Sequence, residues 1–123
     1  MDTANVVKDK SLIFAVNIVK LCRFLQETKK EFVISHQLLK SGTSIGANIR
    51  EAEFAQSKSD WYAKLKIAEK EANETDYWLI LLYKTDYITE KTYLNFNDNI
   101  KQICKILASI CKTKTTKSKK TEV

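Results

Sequence analysis

Residues 41–82 read SGTSIGANIREAEFAQSKSDWYAKLKIAEKEANETDYWLILL. Small residues (Ser41, Gly42, Thr43, Ser44, Gly46 and Ala47) interrupt what is otherwise a helical pattern. Around them Leu38, Gly42, Ile45, Ile49 and Ala52 recur at alternating steps of four and three, which is a heptad seam. Gly42 is one of those seam positions and Gly46 adjoins another, so a neighbouring helix can come close to the backbone there. A glycine inside a helix costs about 1 kcal/mol relative to alanine. The segment is therefore locally weak, and a kink near Ser41–Gly46 is expected. A phosphate-cradling reading of Gly-Thr-Ser-Ile-Gly fails, because neither a preceding strand nor a P-loop lysine accompanies it.

The second half of the stretch keeps the same period. Trp61, Leu65, Ala68, Ala72, Thr75, Leu79 and Leu82 form a seam, with Ser59 as the expected N-cap and Asp60 favourable in the first turn. Lys64, Lys66, Lys70 and Glu74 lie off that seam. From Tyr77 to Tyr83 (YWLILLY) the helix is apolar on every side. Such a run faces its own core and something else. A covering loop, the terminal segment or a partner subunit could bury the extra face, and Tyr77, Trp78, Ile80, Leu81 and Tyr83 are the expected oligomer contacts.

Working outward, residues 1–7 lack periodicity and are expected to be loose. A first helix is expected over about 11–27, capped by Ser11, with Leu12, Ala15, Val16, Val19, Cys22 and Leu25 at helical spacing. Phe14, Ile18, Leu21 and Phe24 make a second stripe beside it. The other helices are expected over about 35–54, 59–84 and 89–112, the last capped by Thr89 with a seam of Phe96, Ile100, Ile103, Leu107 and Ile110. Short connections favour antiparallel neighbours, so the fold class is all-α, an antiparallel up-down-up-down four-helix bundle over residues 1–112.

Composition agrees. The 123 residues contain no proline and two glycines, too few turn residues for an all-β protein. Cys22, Cys104 and Cys111 sit in apolar helical patterns and read as small buried hydrophobes of a reduced cytoplasmic protein. There is no N-terminal apolar leader and no run near the roughly 20 residues that span a bilayer, so no membrane partner is expected. The net charge is +6, of which residues 112–123 (KTKTTKSKKTEV) supply +4. Residues 113–123 are expected to be a disordered basic tail. It would either bind phosphates weakly or serve solubility.

Catalysis finds little support. His36 is the only histidine, which removes most metal and acid–base constellations. Glu71 and Glu74 resemble half of a di-iron ligand set, but no Glu-x-x-His accompanies them. No catalytic residue, metal or cofactor is expected. Asn48, Glu51, Asn73, Glu74 and Asp76 flank the seams; an interhelical hydrogen-bond network is the better reading, a ligand site the alternative. Basic residues that could meet nucleic acid are Arg23, Lys29, Lys30, Arg50, Lys58, Lys64, Lys66 and Lys70, with Lys117, Lys119 and Lys120 in the tail. Acids are interleaved among them, as on an ordinary solvated face, and no aromatic platform motif for stacking single-stranded bases is present.

Ser44-Ile45-Gly46-Ala47-Asn48-Ile49-Arg50-Glu51-Ala52 is similar to the S-I-x-x-N-I-x-E segment of the bacterial 23S rRNA intervening-sequence proteins, also called S23 ribosomal proteins. Ser59-Asp60-Trp61, Leu65-Lys66-Ile67-Ala68 and Glu71-Ala72-Asn73-Glu74-Thr75 extend the resemblance. Accessory variability determinants of diversity-generating retroelements are relatives of that family. The resemblance implies a four-helix bundle, a homo-oligomer of pentameric ring form, and association with structured RNA or other nucleic acid; some relatives bind a reverse transcriptase. The expected function is thus a non-catalytic, RNA-associated accessory protein. The alternative is a protein–protein adaptor or oligomeric scaffold without direct nucleic-acid contact.

Overall fold

The computed structural model describes the backbone of residues 3–122 and the side chains of residues 3–112. Four helices follow one another: α1 (Thr3–Glu27), α2 (Val33–Glu53), α3 (Lys58–Lys84) and α4 (Glu90–Glu122). Helix α1 packs on α2 and α4, and α3 packs on α2 and α4, so each helix touches its two neighbours around a square. This is the antiparallel up-down-up-down bundle. One end carries the two turns 28–32 and 85–89, here called the turn end. The other carries the α2–α3 connection and the start of α1.

The seams of α2 and α3 fall where the spacing places them. Leu38, Gly42, Ile45, Ile49 and Ala52 are buried, as are Leu65, Ala68, Ala72, Thr75, Leu79 and Leu82. Helix α2 runs unbroken through both glycines. A Cβ added at Gly42 would meet Ile18, and one at Gly46 would meet Ser11, so both glycines serve the approach of α1.

Helix α1 differs from expectation. It begins at Thr3, a full two turns before Ser11. Its core stripe is Val7, Ser11, Phe14, Ile18, Cys22 and Leu25, a seam of fours and threes reaching back into the segment expected to be loose. Burying Val7 is what holds the first turns helical. Ser11 is therefore not a cap: it sits mid-helix, fully buried opposite Gly46, and its hydroxyl donates to the Lys8 carbonyl. Leu12 and Val16, expected in the core stripe, lie on the outer surface.

Helix ends show how local chemistry sets the boundaries. Ser57, not Ser59, caps α3; its Oγ accepts from the Asp60 amide at 3.0 Å. Helix α2 starts at Val33 because Glu31, from the preceding turn, offers its carboxylate to three backbone amides: Val33 (3.0 Å), Ile34 (2.8 Å) and Ser35 (2.7 Å). Those are the unpaired donors of a helix N-terminus, and a carboxylate there also complements the helix dipole. Glu31 is only 8% exposed, so it is not part of the solvated mixed-charge face that the sequence suggests. Thr89 caps α4, its Oγ1 accepting from the Thr92 amide. The assignment of α4 continues beyond residue 112 to Glu122. The side chains past Lys112, with the expected basic tail and Lys117, Lys119 and Lys120, lie outside the described residues.

Candidate interaction surfaces

Among the described residues no group of three or more His, Cys, Asp or Glu side chains could hold a metal ion. His36 is exposed on α2. Glu71 and Glu74 do face one another closely enough that burial, and then the Glu74 carboxylate, push the Glu71 carboxyl above its ordinary range. Cys22, Cys104 and Cys111 are thiols. Burial is the leading cause that raises all three, Cys22 to about 11. Thiols held protonated in this way are poor nucleophiles and poor metal ligands. Among the described residues, no helix is long and apolar enough to cross a membrane.

Interhelical polar ties flank the α3 seam, though not at all the positions expected. Asp76 accepts from the Tyr93 hydroxyl (3.0 Å) and the Asn97 amide (2.8 Å), joining α3 to α4. Thr75 donates to Ser41 across the α2–α3 seam at 3.0 Å. Asn48 instead bonds back to the Ser44 carbonyl of its own helix, and Glu51, Asn73 and Glu74 are exposed. Thr75 is a seam position of α3, but Ser41 lies beside the α2 seam, so their pairing is set by the register of the two helices. The role of Tyr93 and Asn97 could not be read from spacing either, because α4 places them by tertiary register.

The basic residues do not form one patch. Arg23, Lys29 and Lys30 stand at the turn end, whereas Arg50 and Lys58 stand near the opposite end, about 30 Å away by the rise of α2. Lys64 and Lys66 are two residues apart on α3 and so diverge by about 200° around its axis. Lys64 is half-buried, and Lys66 pairs with Glu69 at 3.7 Å and lies over the Tyr62 ring. Lys70 is exposed.

The apolar surface is also distributed otherwise than expected. Within YWLILLY, Trp78, Leu81 and Tyr83 are half-buried, with Tyr83 stacked on Tyr93 of α4 at 5.8 Å. The indole nitrogen of Trp78 is enclosed with no hydrogen-bond partner among the described residues. Only Tyr77 (58% exposed) and Ile80 remain substantially outside. A larger apolar surface lies on α1, where Leu12 (65%), Ile13 (62%) and Val16 project away from the core. Beside it runs a groove of about 220 Å³ lined by Leu12 and Ala15 of α1 and by Thr43, Gly46 and Ala47 of α2. Lys8, Asp9 and Arg50 form its rim, and Lys8 pairs with Glu53 at 3.1 Å.

A second cleft, about 490 Å³, opens at the turn end. Phe24, Lys29, Tyr83, Asp86, Tyr87 and Glu90 are among its lining residues, drawn from α1, both turns, α3 and α4. Lys30 and Asp86 both have left-handed backbone, with φ of 57° and 68°. Asp86 closes α3 as a left-handed cap, with its amide on the Tyr83 carbonyl and the Tyr87 amide on that of Leu82. No sequence signal short of the fold could have joined these residues.

The sequence pattern of the 23S rRNA-intervening sequence proteins matches residues 3–109. A crystal structure of a protein of unknown function from the S23 ribosomal protein family of Bacteroides thetaiotaomicron is 60% identical, covering 90% of this chain and 99% of its own, with a TM-score of 0.89. No curated protein matches. The chain belongs to the 23S rRNA-intervening sequence protein family.

Proposed function

We propose that this protein is a non-catalytic helical scaffold that assembles with copies of itself through the outer α1/α2 face and associates with structured RNA. The observation that carries the reading is the exposed Leu12–Ile13–Val16 surface beside the small-residue groove at Gly46 and Ala47. An apolar patch of that kind next to closely approachable backbone is suited to a packed helix. Its rim mixes both signs, through Lys8, Asp9 and Arg50, so a second copy of the same face can set cation against anion. The RNA part is supported by the family's name and by the net charge of +6. A ring of subunits, five in the form the resemblance implies, would repeat each modest basic cluster and add their fields. Reduced thiols suit a cytoplasmic setting.

Light scattering during size-exclusion chromatography tests the assembly, and structured-RNA binding at rising salt tests the partner. An oligomer whose RNA affinity falls steeply with salt is the expected result. A monomer at tens of micromolar protein overturns the assembly. The division of basic residues between the two ends favours a second reading, an adaptor that touches no nucleic acid. An intact oligomer that retains no RNA at low salt selects it.

A further inference from the structure

The cleft at the turn end has a chemistry that neither a packing defect nor a helix-docking groove requires. It combines an aromatic face, a cation and two carboxylates in one opening. Phe24 is 43% exposed, with the Lys29 ammonium 5.9 Å from its ring centre. Tyr83 and Tyr87 supply further aromatic wall, and Asp86 and Glu90 border the same space. Glu90 accepts from the Tyr83 hydroxyl through Oε2 at 3.0 Å, which fixes its position at the rim. The volume of about 490 Å³ lies in the range of about 300–1,000 Å³ in which small-ligand sites fall.

We propose that this cleft receives one unpaired base of a single-stranded RNA segment, stacked on Phe24, with the adjoining phosphate held by Lys29 and an exocyclic amino group donating to the carboxylates of Asp86 and Glu90. The inference rests on the nucleic-acid reading above and gives it a site. Every base has a flat face that an exposed ring can stack on, and a neighbouring lysine neutralises the phosphate. Carboxylates accept hydrogen bonds only, so they favour a base that donates there, such as cytosine through N4, and repel one that presents a carbonyl oxygen, such as uracil through O4. Basic residues alone would bind every sequence alike. The acids in the cleft make the site selective for amino-bearing bases.

The test uses the full-length chain and two fluorescein-labelled hexanucleotides, hexacytidylate and hexauridylate, read by anisotropy at low salt. Hexacytidylate is expected to bind about five- to tenfold more tightly. Phe24→Ala, a change at a surface ring, is expected to weaken hexacytidylate about tenfold while leaving the helical circular dichroism unchanged. Asp86→Gly suits the left-handed backbone and removes a carboxylate, so it should narrow the preference between the two oligonucleotides without abolishing binding. Gln56→Glu, an exposed change in the α2–α3 connection at the opposite end, should leave both affinities within about twofold, given screening over that distance. Equal binding of the two oligonucleotides, insensitive to Phe24→Ala, overturns the cleft site while the nucleic-acid reading survives on structured RNA. Failure to bind any RNA, structured or single-stranded, overturns both.

Discussion

Gly42 lies against Ile18 so closely that a Cβ built on it would stand 2.9 Å from both Cγ atoms of that side chain. Ile18 is fully buried, so it has no free space to retreat into. The absence of a side chain at Gly42 is therefore what sets the α1–α2 separation at mid-bundle. Gly46 is less demanding: a Cβ there would meet the Ser11 hydroxyl at 3.2 Å and its carbonyl at 3.4 Å.

Replacing Gly42 by alanine sets two effects against each other. Helix propensity gains about 1 kcal/mol, whereas overpacking a well-filled core costs about 1–3 kcal/mol. With contact at 2.9 Å to a buried β-branched residue, overpacking wins, and Gly42→Ala is expected to lower the melting midpoint by about 4–8 °C. Ile18→Val in the same chain should recover part of the loss, a coupling that a double-mutant cycle measures. A Gly42→Ala protein as stable as the parent would show that α1 is free to shift outward.

Glu31 carries a comparable role in the turn. Its carboxylate satisfies three amides at the start of α2 while itself nearly buried. Glu31→Ala leaves those donors without their partner and should cost about 2 kcal/mol, read as a lower urea midpoint at unchanged slope. Glu31→Gln should fall between, since one amide oxygen accepts less well than two charged ones. If the alanine variant unfolds at the parental midpoint, solvent replaces the cap without loss.

The Cys22 thiol makes a pH prediction. Burial first, and the Glu31 carboxylate second, raise it to about 11 from an ordinary 9.0. A thiol whose folded value is raised retains its proton while the unfolded chain loses it. The stabilisation is fully present below the unfolded value and is lost as pH climbs through the folded one. Urea midpoints should thus decline between about pH 9 and pH 11, and Cys22→Ala should flatten that part of the decline. Native protein at pH 8 should react slowly with a disulfide reagent at Cys22, and quickly once unfolded. Rapid native labelling there would contradict the buried geometry.

The contrast between α1 and the central helices shows what a single chain discloses. Helices α2 and α3 each carry one dominant stripe, so Leu38, Ile45, Leu65 and Leu79 could be placed in the core from period alone. Helix α1 is apolar over most of its circumference. Two stripes compete there, and period cannot rank Leu12–Val16 against Phe14–Ile18. What decides is the continuation of the second stripe through Ser11 to Val7, where a serine occupies a core position because Gly46 faces it. That pairing is a tertiary fact. The turn-end cleft is hidden for the same reason, since Phe24 and Asp86 are far apart in sequence and become neighbours only when the bundle closes.

Because α1 keeps its losing stripe at the surface, the assembly reading can be placed by mutation. Leu12→Glu with Val16→Glu alters side chains that do little for the core, so the helical signal and melting midpoint should change little. A carboxylate in each copy would meet its mate or an apolar partner across the interface, and unpaired buried charge is strongly unfavourable. The double variant is expected to run as a monomer in light scattering at concentrations where the parent assembles. Tyr77→Glu with Ile80→Glu tests a second exposed apolar surface, on α3, where Trp78 and Tyr83 are already packed within the bundle. That pair is expected to remain assembled. The reverse outcome, dissociation by the α3 pair alone, would move the interface to the Tyr77–Tyr83 run and leave the α1 stripe without a role in self-assembly.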